Sequence, residues 1–353
     1  MPTAPWWDRK MRLRFPEPLA PGDLIGVTSP SAGVGARARP RIDFAIEWLR
    51  GRGYDVVVGE CMSADRWVSA PKDERAAELT QMLLDPAIRA VVPPWGGAGT
   101  ALDLLDQLDY AAIAEADPTW VVGYSDSATW MVPLTLRAGL ATLHGDNLVD
   151  TPNEAPFGLA HWTDLAASDG HVRQEGSGLV ATWHSFDDHR TTDWKVVGEG
   201  RWRLHGADTL DVRGTLVGGC TEMMAGIAGT PYGDVRAFGD ERGDLVVYVE
   251  ACEDDAFSIC RHLHHLRYAG WFDHAVAVLV GRTDAPAGTE DGGLTQEEAV
   301  LDALGGLGVP VVVDLEIGHV PPHLPLLNGA VAHVVVDGER HEITQTWPVG
   351  GRG

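Results

Sequence analysis

Apolar and polar positions in the first 150 residues alternate between two periods. Residues 24–27 form a short apolar run after the turn Pro21-Gly22-Asp23 and open into the small-residue loop Thr28-Ser29-Pro30-Ser31-Ala32-Gly33, which predicts a buried strand. Apolar positions over 42–49 recur at helical spacing and stop at Gly51 and Gly53, predicting a helix, and 54–58 predict a second strand. The alternation continues with a helix over 73–84, a strand over 88–92, a helix over about 102–108, a strand over 120–122 and a helix after Ser125. Strands that alternate with helices predict a parallel sheet covered on both faces.

Beyond about residue 150 this pattern lapses. Residues 151–195 are rich in Pro, Gly, Ser, Asp and Trp without a sustained period, and they read as a linker with substrate-facing loops, because long irregular stretches in compact chains are usually functional. From Gly214 a second alternating region follows, with strands over 245–249, 275–280 and 309–313, a helix over 256–269 and a β-rich end over 330–346. A length of 353 residues agrees with two domains, since single cores stop growing at about 250–300 residues.

Composition narrows the partners. With 27 Lys+Arg against 51 Asp+Glu the net charge is −24, and no cluster of basic residues is present to bind phosphate backbones or anionic lipid. Neither a nucleic-acid polymer nor a membrane surface is therefore expected as a partner. Hydrophobic residues at 44% and charged residues at 22% exclude disordered and fibrous classes. Cys61, Cys220, Cys252 and Cys260 are scattered without a C-x-x-C pair, which points to a reducing compartment. The positive residues Arg9, Lys10, Arg12 and Arg14 precede Phe-Pro-Glu-Pro instead of an apolar stretch, and no 18-residue apolar run occurs, so a cytoplasmic protein is expected.

Three segments carry candidate chemistry. In Gly123-Tyr124-Ser125-Asp126-Ser127 an apolar strand breaks at glycine and runs through serine into a helix start. A strand-turn-helix can hold a serine hydroxyl out of the sheet with backbone N–H groups facing a developing oxyanion; the competing reading is a plain helix cap at Ser125 or Asp126. Glu250 closes the apolar run 245–249, where a carboxylate can orient an imidazole or simply sit at a solvated strand end. His319 lies between Gly318 and Val320-Pro321-Pro322-His323, on a loop fixed by its neighbours.

The order of short motifs gives these residues a context. Pro21-Gly22-Asp23-Leu24-Ile25-Gly26-Val27-Thr28-Ser29-Pro30-Ser31, Gly96-Gly97-x-Gly99, Gly123-Tyr124-Ser125-Asp126, His144-Gly145, Gly218-Gly219, Gly229-Thr230-Pro231-Tyr232, Val249-Glu250 and Gly318-His319 together resemble the LD-carboxypeptidase family of serine peptidases, over residues 19–337. The resemblance implies Ser125 as nucleophile, Glu250 as acid and His319 as base, with an oxyanion hole from the backbone N–H groups of Asp126 and Gly97. It also implies a pocket touched by Gly96 and His144, no cofactor, a homodimer, and hydrolysis of an amide in a small peptide or peptidyl-nucleotide. The expected fold is α/β, an N-terminal Rossmann-like parallel-sheet domain (1–165) with the nucleophile, a linker with substrate loops (166–203), and a C-terminal β-rich α/β domain (204–353) with Glu250 and His319.

The sequence departs from the family pattern at Trp95, where many members place Arg, at Asp146, where proline commonly follows H-G, and at Cys220, where Asn is common. The stretch 250–257 and Gly270-Trp271-Phe272-Asp273 resemble the microcin-immunity branch, which implies toxin inactivation or self-immunity and an aromatic side chain stacking on a nucleobase. Trp183 is the expected stacking residue, with Trp162 and Trp194 as rivals. Other readings are a murein tetrapeptide LD-carboxypeptidase in wall recycling, a non-catalytic ligand-binding homologue, and a metal hydrolase using His262, His264, His265, His319 and His323. The last lacks an H-E-x-x-H pattern, so no metal is assigned.

Overall fold

The computed structural model describes residues 12–285 and 293–349, so Arg9 and Lys10 lie outside it. The first half builds β1 (Leu24–Val27), α1 (Arg39–Gly51), β2 (Asp55–Val58), α2 (Lys72–Leu84), β3 (Ile88–Val91), α3 (Tyr110–Glu115), β4 (Trp120–Gly123), α4 (Ala128–Ala138) and β5 (Thr142–His144). The strands form a parallel sheet in the order β5-β4-β3-β1-β2, the Rossmann-like arrangement expected. Val121 and Val122 are wholly buried, as continuous apolar strands must be when both faces are covered. The helix expected over 102–108 is instead a 3-10 turn at Ala101–Leu104 followed by α3. Asp109 starts that separate helix by accepting a hydrogen bond from Ala112 N–H.

The span expected as linker and loops carries regular structure. Here lie α5 (Trp162–Ala166), β6 (His171–Glu175), β7 (Leu179–Thr182) and β8 (Lys195–Glu199), followed by β9 (Arg203–His205). Strands β7 and β8 pair as a separate antiparallel ribbon. Downstream come β10 (Leu210–Cys220), α6 (Thr221–Ile227), α7 (Val235–Arg242), β11 (Leu245–Glu250), α8 (Ala256–Tyr268), β12 (Ala275–Gly281), α9 (Gln296–Leu304), β13 (Val311–Leu315), β14 (Leu326–Asn328), β15 (Val331–Val336) and β16 (His341–Thr346).

The second sheet has the order β6-β16-β15-β10-β11-β12-β13-β9, parallel through β10 to β13 and antiparallel on both flanks. Strand β14 leaves it and pairs antiparallel with β5, so the late chain completes the edge of the first sheet. Helix α4 packs between the two halves against α6 and β10, which explains why all its residues except Arg137 are buried. The carboxyl ends of β4 and β11 consequently open towards each other, where α/β sheets collect their ligands.

Candidate active site

Ser125 stands where β4 turns into α4. Its φ is 64°, and only one other non-glycine residue among those described, Asp314, shares the left-handed region. Such a backbone costs about 1 kcal/mol and persists where the surroundings hold it. Here the buried Asp126 carboxylate does so. It accepts hydrogen bonds from Ser31 Oγ, from the backbone N–H groups of Thr100 (2.9 Å) and Ala101 (3.0 Å), and from Thr129 Oγ1 (3.0 Å). The side chain after the serine thereby ties the first turn of α4 to the loops after β1 and β3.

The glycine turn leaves room over the serine. A Cβ at Gly96 would stand 2.5 Å from Ser125 Cβ, 2.9 Å from Ser125 Oγ and 2.8 Å from Asp126 N. Gly97, at φ +126°, would place a Cβ 2.3 Å from Ser31 Oγ. Gly96→Ala forces the turn away from Ser125 and the Asp126 N–H, so kcat is expected to fall by about 100-fold or more, with a lowered Tm. Steady-state kinetics beside a melting curve checks this, and near-wild-type kcat would refute it.

Glu250 ends β11 with no solvent exposure. Its Oε2 lies 2.8 Å from His319 Nδ1. Two glycines make the space: a Cβ at Gly318 would be 2.1 Å from Glu250 Oε2, and one at Gly281 would be 2.7 Å from Glu250 Cβ. Burial alone would lower the His319 pKa, but the Glu250 charge and the neighbouring Cys252 sulfur hold it well above the ordinary value. Burial alone would raise that of Glu250, yet the imidazole brings it below the usual carboxylate range. With Nδ1 committed to Glu250, Nε2 is the ring nitrogen left to accept a proton.

Ser125 and His319 line one cavity of about 460 Å³, together with Gly96, Gly97 and Trp183. Trp183 sits at its edge, 37% exposed, and donates from Nε1 to Asp150 Oδ1 at 3.1 Å. The other Asp150 oxygen accepts from Tyr124 O–H at 3.0 Å, connecting the tryptophan to the residue before the serine. Burial raises the Asp150 carboxyl to about 6. Arg41, 6% exposed, also lines the cavity and places a cation there despite the acidic composition. It donates to Asn153 Oδ1 at 3.0 Å and to Val149 O at 2.8 Å.

Other expected residues lie elsewhere. His144 is buried behind Glu250, its Nε2 3.9 Å from Oε1, and does not line the cavity; burial lowers its pKa to about 4. Trp162 belongs to the core and donates to Thr151 Oγ1 at 3.0 Å, while Trp194 packs 5.2 Å from the ring of His323. His323 Nδ1 is paired with Asp146. His262, His264 and His265 on α8 do not line the cavity. Arg41 and Asp150 escaped the sequence reading because neither sits in a motif: one lies within an amphipathic helix and the other at the edge of an irregular stretch.

Two α/β sheets meeting at a cleft, with a serine on a strand-to-helix turn and a carboxylate-bound histidine in the same cavity, define the class as a hydrolase of the peptidase kind. More particularly, the chain belongs to the LD-carboxypeptidase family, whose N-terminal domain matches residues 25–145 and whose C-terminal domain matches residues 213–334. A Streptomyces coelicolor relative whose name suggests a carboxypeptidase is 31% identical, over 91% of this chain and 93% of its own. The microcin C7 self-immunity protein of Escherichia coli is 25% identical over 94% of this chain and 95% of its own. A solved structure of a microcin C7 self-immunity protein in complex with aspartyl sulfamoyl adenosine superposes with TM-score 0.78 at 22% identity, covering 95% of this chain and 99% of that one. None of the helices in the described residues is long and apolar enough to cross a membrane.

Proposed function

We propose that this protein is a serine-type amidase that hydrolyses a peptidyl-nucleotide or aminoacyl-adenylate-like conjugate, with inactivation of a toxic compound as its role. The observation that carries this reading is Ser125 at φ 64°, on the wall of a cavity that also receives His319, whose Nδ1 is held by a fully buried carboxylate. Ser125 Oγ attacks the carbonyl carbon while His319 Nε2 takes its proton. Glu250 keeps the imidazole in the Nδ1–H tautomer and stabilises the cation that forms. The backbone N–H groups of Asp126 and Gly97 receive the oxyanion, each worth roughly 3–4 kcal/mol of barrier. His319 then gives the proton to the leaving nitrogen, and water, deprotonated by the same base, releases the acyl group.

Support for the nucleotide part is the exposed Trp183 face at the cavity edge, the buried Arg41 cation that lines the same cavity, and the name and ligand of the microcin C7 relative. The test is turnover of an acyl-sulfamoyl-adenosine and of a murein tetrapeptide, side by side. Hydrolysis of the adenosine compound is expected, with KM raised about 10-fold by Trp183→Ala, since one base stacked on an aromatic ring contributes about 1–3 kcal/mol. Turnover of the tetrapeptide alone would sink the nucleotide reading and leave a wall-recycling enzyme.

A further inference from the structure

The helix that carries His262, His264 and His265 also holds a cluster of donor side chains apart from the cleft. Cys260 and His264 stand four residues apart on α8 and therefore share a face. Helix α9, packed alongside, brings Asp302 to them. Asp302 Oδ2 lies 2.9 Å from His264 Nε2 and 3.5 Å from Cys260 Sγ. All three ligand atoms fall within 4.8 Å of one another. None of these residues lines the cavity of Ser125.

These separations can be compared with a metal's. Tetrahedral zinc bonds sulfur at about 2.3 Å and nitrogen or oxygen at about 2.0 Å, which puts sulfur about 3.5 Å from oxygen and nitrogen about 3.3 Å from oxygen. The sulfur–oxygen edge already has that length. The nitrogen–oxygen edge needs to open by about 0.4 Å, within reach of side-chain rotation on two half-exposed residues and one exposed residue. A thiolate, an imidazole and a carboxylate are together a zinc-type donor set, too soft for magnesium or calcium.

We propose that Cys260, His264 and Asp302 form a binding site for zinc or a similar borderline-soft divalent ion, clipping α8 to α9 and leaving a fourth position to water. Binding exchanges two hydrogen bonds to Asp302 for three metal bonds. The Cys260 thiol proton goes to solvent, the His264 proton moves from Nε2 to Nδ1, and no electron is transferred. One proton is released per ion, so affinity rises with pH. The site is structural in this role, since it stands apart from the cleft.

Cys220, Glu250 and His319 also come within 4.8 Å of one another, and the test must separate that cluster from this one. The full-length protein, stripped with a chelator, is titrated with Cd²⁺ while thiolate-to-cadmium charge-transfer absorbance is followed, and with Zn²⁺ while Tm is followed. One equivalent is expected to saturate the band and raise Tm. Cys260→Ser should abolish the band, and Asp302→Asn should weaken binding by more than about 10-fold, as loss of even an outer partner does. Both variants should keep hydrolytic activity and their metal-free Tm. Absence of a saturable band in the wild type overturns the proposal. So does a band that survives Cys260→Ser and disappears in Cys220→Ser.

Discussion

Ser125→Ala is expected to lower kcat on any substrate the protein turns over by about 10⁴-fold or more, with the fold intact. The substitution removes one oxygen atom, and that oxygen is the reacting atom of the proposed mechanism. The side chain donates no hydrogen bond that the turn depends on: the turn is held instead by Asp126, through Thr100, Ala101, Ser31 and Thr129. Alanine meets the same left-handed backbone demand as serine at φ 64°, so Tm should move by only a few degrees. The measurements are kcat, Tm and labelling by a serine-reactive phosphonate, which should mark the wild type and not the variant. Turnover near the wild-type value would remove Ser125 from the nucleophile role. A wild type that binds ligand but neither turns over nor takes the label would instead be a non-catalytic homologue.

Glu250→Gln is expected to cost about 10³–10⁴-fold in kcat and to move the acid limb of the pH–rate profile to lower pH. The amide fills the same buried space, but its NH₂ favours the imidazole tautomer with Nδ1 unprotonated, turning the proton-accepting nitrogen away from Ser125. The pH shift has a definite sign. His319 must be neutral to accept the serine proton, so activity appears as pH rises through its pKa. Glu250 is the larger of the two groups, with Cys252, that hold that pKa well above the ordinary value against burial, and removing its charge lets burial pull it down. Full pH profiles of kcat/KM for the two proteins provide the check, with Glu250→Asp as the conservative partner. An acid limb that stays in place would show that Glu250 does not set the state of the base. The wild-type fold should survive in Glu250→Gln because Gly281 and Gly318 already shape the space for a side chain of this size.

Strands β1, β3 and β4 were legible in the sequence because each is a mostly apolar run, and burial on both faces demands that composition; β2 is apolar yet largely exposed, and the three-residue β5 was missed. Ser125 and His319 stood out as candidates because each lies near a glycine, and Glu250 because it closes an apolar run. Elsewhere the pattern misled. Residues 102–108 look helical but stop at Leu104, since Asp109 caps a new helix. Residues 151–195 look irregular, yet they carry β6, which pairs with β16 at the far end of the chain, and β7, which pairs with β8 just beyond. His144 sits in a conspicuous His-Gly pair but lies behind Glu250, out of the cavity.

What the sequence determined by itself is the local chemistry: which runs become buried strands, where a strand breaks at glycine and runs through serine into a helix start, and which residue types stand at the strand ends. These depend on neighbours within a few positions, so a single chain carries them. The tertiary structure decided what those residues meet. Strand β14 crossing to β5, α4 packed between the sheets, and the convergence of β4 and β11 are long-range pairings between segments that carry no mark of each other. They place Ser125 from one half and His319 on its carboxylate from the other in one cavity, and they bring Asp150 against both Tyr124 and Trp183. A three-residue strand such as β14 has too few positions to show a period, and a partner at a distance leaves no local signal.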